Sequence, residues 1–243
     1  MEIAGYLPTS LIEWPGKIAS VIFTPGCNFR CPFCHNPDLV DPNRTRELKD
    51  YSDESIITDL EKREKWIDGV VITGGEPLLQ KGLEKFLKKL KGLGLKTMIE
   101  TNGSLSTILR SMADKKLVDY WAVDYKAPFE KYPEVVRVMD FEPAVIKKSI
   151  KLLIESKIPF ELRTTIVPGI HDQKTLIKMA KDLKTLCPKL YALSSITWSW
   201  RNFRSKTCLK IEYQNKKQYD LDELNKFLKK VQILFPQIRL KLF

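Results

Sequence analysis

The chain has 243 residues, of which 43% are hydrophobic and 29% charged, and its formal net charge is +11. That length supports one sizeable core, and this balance of apolar and charged residues excludes a disordered chain. No apolar run approaches the roughly 20 residues of a membrane helix, and the leading Met-Glu-Ile-Ala-Gly lacks the basic and apolar regions of a signal peptide, so a cytoplasmic protein with reduced cysteines is expected.

Taken in order, residues 1–17 read as an irregular lead-in broken by Pro8 and Pro15. The β-branched and apolar run Ala19 to Thr24 predicts a buried strand that ends at Pro25-Gly26. After a cysteine-rich loop, Ser52 to Ser55 cap a helix over 56–64. A second strand, Gly69 to Thr73, runs into Gly74-Gly75-Glu76-Pro77, and a helix with apolar Leu83, Phe86, Leu87 and Leu90 follows. Further strands are expected over 96–101, 119–124 and 160–167, with a sixth over 190–197 and a short terminal one over 238–242. Helices are expected over 105–113, 144–156, 172–186 and 220–235. Residues 128–142 and the aromatic-rich 198–203 read as loops. Strands alternating with helices at these spacings predict βαβ units and a parallel sheet. No linker or repeat interrupts the chain, so one domain over 1–243 is expected.

The positive charge invites a nucleic-acid reading, but its distribution argues against one. Lysines between Lys81 and Lys96 and between Lys226 and Lys230 interleave with leucines at helical spacing, and no run of five basic residues exists. Solvated helix faces account for such lysines, and a basic surface also suits an acidic protein partner. Neither nucleic acid nor membrane is an expected partner.

Chemistry concentrates in Gly26-Cys27-Asn28-Phe29-Arg30-Cys31-Pro32-Phe33-Cys34-His35-Asn36, where three of the five cysteines fall within eight residues. A disulfide would use two of these thiols and leave one. Zinc would want a fourth ligand, for which His35 is the candidate, although an ordinary loop histidine is the simpler reading. A four-iron, four-sulfur cluster accepts three cysteines and leaves one iron open. The other polar motifs also stand at strand ends, where the loops of a barrel-like parallel sheet converge. They are Gly74-Gly75-Glu76-Pro77, Glu100-Thr101-Asn102 and Asp124-Tyr125-Lys126, with Arg163 inside the fifth strand.

The CxxxCxxC spacing with the aromatic Phe33 before the last cysteine resembles the signature of the radical S-adenosylmethionine (SAM) enzymes. The run from Gly26 to Val40, together with Ser10 to Lys17, is similar to the branch that activates glycyl-radical enzymes, and most of all to activators of anaerobic ribonucleoside-triphosphate reductase. The likeness covers residues 10 to about 170 and implies an α/β fold, an open partial (β/α)6 barrel, with a core over about 17–197 and an extension over 198–243. It implies a 4Fe-4S cluster on Cys27, Cys31 and Cys34 and SAM as second cofactor. SAM would be split there to give a deoxyadenosyl radical that takes a hydrogen atom from a glycine of the partner enzyme. It further implies SAM contacts from Phe33, Gly74, Gly75, Glu76, Asn102, Asp124, Lys126 and Arg163, with Glu100 near the substrate. Asn102 could equally be a structural turn, and Asp124 with Lys126 a surface ion pair. The partners implied are a glycyl-radical enzyme, here anaerobic ribonucleotide reductase, and a reduced flavodoxin or ferredoxin-type electron donor.

The chain departs from the pattern after residue 190, where no histidine follows the sixth strand, and Cys187 and Cys208 are isolated and read as buried thiols. A radical enzyme of small molecules or modified bases, as in deazapurine synthesis, is the alternative within the same chemistry. A cluster-bearing electron carrier is the alternative outside enzymes.

Overall fold

The computed structural model describes residues 1–48, 50–187 and 196–243 and shows an α/β fold with a mostly parallel sheet that does not close on itself. Packing divides the chain into two compact units, Met1–Asn28 with Asn36–Ala122 and Phe29–His35 with Val123–Phe243.

The first unit holds β1 (Gly5–Ser10), β2 (Ala19–Thr24), β3 (Gly69–Gly74) and β4 (Lys96–Thr101). β2 and β3 run parallel with Ala19 opposite Gly69 and Thr24 opposite Gly74, and β4 continues the sheet with Lys96 opposite Gly69. Their C-terminal ends, Thr24, Gly74 and Thr101, therefore share one end of the unit, which is what places the polar motifs together. Helices α1 (Asp53–Arg63), α2 (Leu83–Gly92) and α3 (Ser106–Asp114) make the crossovers. Ser52 caps α1 by accepting from the Ser55 amide at 3.1 Å, with Asp53 and Glu54 in the first turn and Lys62 and Arg63 in the last. α2 buries Leu83, Phe86, Leu87 and Leu90, the i, i+3, i+4, i+7 stripe of an amphipathic helix. One sheet face packs Val21, Val71, Met98 and Ala122 with Trp14 and Ala19.

β5 (Tyr120–Asp124) carries the chain from the first unit into the second. The second unit holds β6 (Phe160–Ile166), β7 (Thr197–Asn202) and β8 (Arg239–Leu242), paired in parallel with Glu161 opposite Thr197 and Thr197 opposite Arg239. Helices α4 (Ala144–Ser156), α5 (Gln173–Leu186) and α6 (Leu221–Leu234) pack beside them. Asp172 caps α5 through the Thr175 amide at 2.7 Å, and Asp220 and Glu223 form a reciprocal capping box on α6. The interior is aromatic. Tyr125 lies 5.9 Å from Trp198, which meets Trp200 edge to face at 5.3 Å. The Trp198 indole N–H donates to Thr164 Oγ1 at 2.8 Å.

Three segments differ from the sequence expectation. Residues 5–10, expected to be irregular, form the antiparallel edge strand β1, and the register breaks between Leu7 and Ser10, around Pro8. An edge strand tolerates a proline because the missing N–H faces away from the ladder. Residues 198–202, expected to be loop, belong to β7, with Trp198, Ser199 and Trp200 buried. The run alternates polar and apolar residues as a strand does, but it lacks β-branched residues after Thr197, and Ser199 is as buried as the indoles beside it. The expected strand over 190–197 falls, except for Ile196 and Thr197, outside the described residues, and β7 begins at Thr197. Residues 128–142 contain a short 3-10 turn over Phe129–Lys131 and a helical turn over Tyr132–Val136 in place of a continuous loop.

Candidate active site

Two glycines decide the geometry of the first unit. Gly74 has a φ of +118°, and a Cβ there would sit 2.4 Å from the Thr24 backbone. A Cβ on Gly75 would fall 1.9 Å from the Gly26 carbonyl oxygen. Only glycine permits this approach. It lets the Gly75 amide donate to Thr24 O at 2.8 Å and the Glu76 amide to Gly26 O at 2.7 Å, while the Gly26 amide donates to Leu39 O at 2.7 Å. The turn after β3 thus clasps the start of the cysteine loop through main-chain bonds.

Glu76 is fully buried, and its carboxylate is held by the Leu78 amide at 3.0 Å, the Thr101 hydroxyl at 2.7 Å and the Asn102 amide at 2.7 Å. A buried carboxylate is tolerable because these donors replace water. Its visible role is to brace the β3 turn against the end of β4. From there the Asn102 side chain reaches the loop, donating to Asn28 Oδ1 at 2.8 Å and approaching Cys27 Sγ at 3.8 Å. Asn28 donates in turn to Ser104 Oγ at 2.8 Å, and the Ser104 amide donates to Asn102 Oδ1 at 2.9 Å. An N–H aimed at a cysteine sulfur stabilises its thiolate and tunes any metal it binds. Glu100 accepts from the Thr73 hydroxyl at 2.7 Å.

In the second unit, Asp124 and Lys126 close an ion pair of 2.7 Å at the end of β5. Burial alone would lower the Lys126 pKa; the Asp124 carboxylate and the Cys31 sulfur outweigh it and hold the ammonium protonated above its ordinary range. Cys31 therefore lies close to this pair. The Tyr132 hydroxyl accepts from the Lys126 amide at 2.9 Å and donates to Asp124 O at 3.2 Å. His171, in the turn after β6, reaches across to this pair, with Nε2 2.9 Å from Lys126 O and Nδ1 accepting from the Val167 amide at 2.9 Å. Since Nδ1 accepts, Nε2 carries the proton and donates to the carbonyl. Burial holds the His171 pKa down at about 4, so the ring is neutral.

Arg163 is buried, and its guanidinium meets Glu161, two residues earlier on β6, at 2.6 Å. The other Glu161 oxygen accepts from Ser199 Oγ at 2.6 Å. Phe33 packs 6.3 Å from Tyr213, and Cys34 accepts a main-chain bond from Leu209 at 3.2 Å. His35 accepts from the Arg204 amide at 3.4 Å and lies 5.8 Å from Phe203, which is the behaviour of a packed loop histidine. Cys187 and Cys208 are buried free thiols whose pKa values are pushed up by burial.

The first unit thus gathers Cys27, Gly74, Gly75, Glu76, Glu100 and Asn102, and the second gathers Cys31, Phe33, Cys34, Asp124, Lys126 and Arg163. Sequence reasoning missed Asn28, Ser104, Tyr132 and His171, which position those residues. His171 left a faint signal, as one of two histidines in the chain and one placed just past a strand end. Among the described residues no three His, Cys, Asp or Glu side chains surround a single metal ion. A four-iron cluster asks something different of its ligands, one thiolate on each of three separate irons. The donor set of three cysteines on one loop, none of them in a disulfide, with an amide N–H on one of them, fits that group.

Comparison with known proteins agrees with this chemistry. A model of the radical SAM superfamily matches residues 21–182. A protein of Methanocaldococcus jannaschii that is named as a glycyl-radical enzyme activating enzyme is 31% identical over 235 residues, covering 94% of this chain and 92% of its own length. The pyruvate formate-lyase-activating enzyme of Staphylococcus epidermidis is 31% identical over 190 residues, 72% of each chain. Among solved structures, Streptococcus suis SuiB bound to its precursor peptide SuiA superposes with a TM-score of 0.70 over 92% of this chain and 48% of its own, at 17% identity, a likeness of fold.

Proposed function

Because the chain belongs to the radical SAM superfamily, we propose that it is a glycyl-radical enzyme activase whose partner is anaerobic ribonucleoside-triphosphate reductase. The observation that carries this reading is the main-chain clasp between Gly75-Glu76 and Thr24-Gly26, which seats the cysteine loop on the turn that in the resemblance receives SAM. Near full-length similarity to a protein named for glycyl-radical activation supports the branch, and the choice of the reductase as partner rests on the resemblance carried by the Gly26 to Val40 run.

Cys27, Cys31 and Cys34 would ligate three irons of a 4Fe-4S cluster, and the Gly74-Gly75 backbone, Asn102, Lys126 and Arg163 would hold SAM. Cluster and SAM together supply, when bound, a one-electron cleavage to methionine and a deoxyadenosyl radical able to take a hydrogen atom from glycine. Glu76 fixes the β3 turn and the Asn102 amide, so that both are in place before a ligand arrives. Asn102 also donates toward the Cys27 sulfur. Asp124 and Tyr132 hold Lys126 charged and oriented, and Arg163, steadied by Glu161, offers a planar cation suited to a carboxylate. The buried aromatic packing beside β5 and β7 keeps water from that side of the second unit.

The test is anaerobic. The cluster is reconstituted, reduced with dithionite and given SAM, and 5′-deoxyadenosine is measured in the wild type and in Cys31→Ala. Product is expected from the wild type alone, followed by a glycyl-radical resonance when the reductase is added. No 5′-deoxyadenosine from protein carrying a full cluster would leave electron carriage as the function. Cleavage with a radical on pyruvate formate-lyase but none on the reductase would reassign the partner.

A further inference from the structure

The proposed reaction consumes one electron, and beyond the CxxxCxxC loop the only cysteines are the separate, buried Cys187 and Cys208, so no second cysteine cluster stores it. The electron has to come from another molecule that docks near the cysteine loop.

Within the second unit the loop is bonded on one side to Val136, which accepts from the Arg30 amide at 2.9 Å, and on the other to the segment after β7. The Leu209 amide donates to Cys34 O at 3.2 Å and the Lys210 amide to Pro32 O at 3.0 Å, and the Arg204 amide reaches His35 at 3.4 Å. Phe33 and His35 pack on Tyr213 and Phe203 of the same segment. Residues 201–217 carry six basic side chains, Arg201, Arg204, Lys206, Lys210, Lys216 and Lys217, against the single acid Glu212. Arg204, Lys206, Lys210 and Lys217 are exposed, and among them Ile211 leaves 75% of its surface open.

The lysines of α2 look similar in sequence but are accounted for: they stand opposite a buried leucine stripe, and Lys88, Lys89 and Lys91 pair with Glu84, Glu54 and Asp119. Beyond the end of β7 at Asn202, segment 201–217 holds only the four-residue helix Ile211–Gln214, so no amphipathic face explains its four exposed cations, whereas Lys216 donates to Pro168 O at 3.1 Å. An exposed apolar side chain in a segment with a strong excess of positive charge is the make-up of a small, transient interface. Charge steers the encounter, and the apolar centre gives brief contact.

We propose that the face formed by residues 201–217 docks the electron donor, an acidic one-electron carrier of the flavodoxin or ferredoxin class. This rests on the activase reading. One electron leaves the donor's reduced flavin or cluster and one enters this protein's iron–sulfur centre; no bond forms or breaks. The main-chain bonds to Pro32 and Cys34 set the segment directly against the part of the loop that carries Cys31 and Cys34, so a carrier seated there comes close to the centre.

The test compares cluster-reconstituted wild type with the triple variant Arg204→Glu, Lys206→Glu, Lys210→Glu. Binding of oxidised flavodoxin is read by titration calorimetry at low and at physiological salt, independently of turnover. In the wild type the Kd should rise about tenfold between the two salts. The variant should bind at least about tenfold more weakly at low salt and lose most of that salt dependence. 5′-Deoxyadenosine formation should fall in parallel with reduced flavodoxin as donor and stay unchanged with dithionite. Unchanged flavodoxin affinity in the variant overturns the proposal, as does an equal loss with dithionite, which would make the segment structural. Intact flavodoxin binding with lost glycyl-radical formation would give the face to the reductase instead. If the wild type itself cleaves no SAM with dithionite, the activase reading falls and the docking proposal with it.

Discussion

At the scale of single residues, the closest constraint is steric. A methyl group on Gly75 would overlap the Gly26 carbonyl at 1.9 Å, and main chain lies on both sides of the clash. Gly75→Ala is therefore expected to cost about 3 kcal/mol or more, read by urea unfolding, and to lower the iron content after reconstitution. Wild-type stability with full iron loading would show that the clasp is not needed. A second residue sets a pH limit. Burial lowers the His171 pKa to about 4 from 6.5. The unfolded chain then takes up the proton first as pH falls, so the stability held by neutral His171 is complete above about pH 6.5 and lost on the way down toward 4. The shift corresponds to about 3 kcal/mol. Between pH 7 and about pH 4.5 the melting temperature of the wild type should therefore fall further than that of His171→Gln, and equal falls would exclude this histidine as the cause. The cysteines and glycines announced themselves in the sequence because their chemistry depends on residue type and spacing. The partner of Arg163 did not. A buried arginine was legible as needing a counter-charge, but that Glu161 supplies it depends on two side chains sharing a face of β6.

At the scale of elements, the long helices were legible to within a few residues because caps and apolar stripes are local, whereas the single turns Tyr132–Val136 and Ile211–Gln214 were not. Ala144–Ser156 was read in full, and Gln173–Leu186 and Leu221–Leu234 begin just after the aspartates that cap them. The α6 cap offers a direct check. Asp220 accepts from the Glu223 amide at 2.7 Å while Glu223 reaches back to the Asp220 amide at 3.3 Å. Asp220→Ala should cost about 1 kcal/mol, and chemical denaturation of the purified variant measures it; no loss would mean that packing alone fixes the helix start. Strands were legible where flanked by turn signals, as for Ala19–Thr24 and Lys96–Thr101. β1 and β7 were not, for different reasons. β1 is an edge strand with a proline and gains its pairing only from β2. β7 alternates polar and apolar residues through Thr-Trp-Ser-Trp-Arg, but it has no β-branched block after Thr197 and lies in an aromatic-rich run that reads as loop.

At the scale of the whole molecule, the sequence shows no linker, and the division into two compact units falls inside a strand, β5, where no composition change could mark it. What the whole chain does on binding its ligand follows from linkage. A ligand that binds only the native state at 100 times its Kd stabilises by about 2.7 kcal/mol. For a chain of 243 residues each kcal/mol moves the melting temperature by about 2–4 °C. SAM added to the cluster-loaded protein should then raise the melting temperature by about 5–10 °C. The Cys31→Ala protein, which loses one of the three proposed iron ligands and the side chain beside Lys126, should show a shift of less than about a third of that. The comparison, made by anaerobic thermal melts across a SAM titration, separates two ways of holding the ligand. If Asn102, Lys126 and Arg163 hold SAM unaided, both proteins shift alike and the open iron is not what anchors it. If the wild type alone shifts, the cysteine loop is required to hold the ligand, and the thermal gain reports its contribution to affinity.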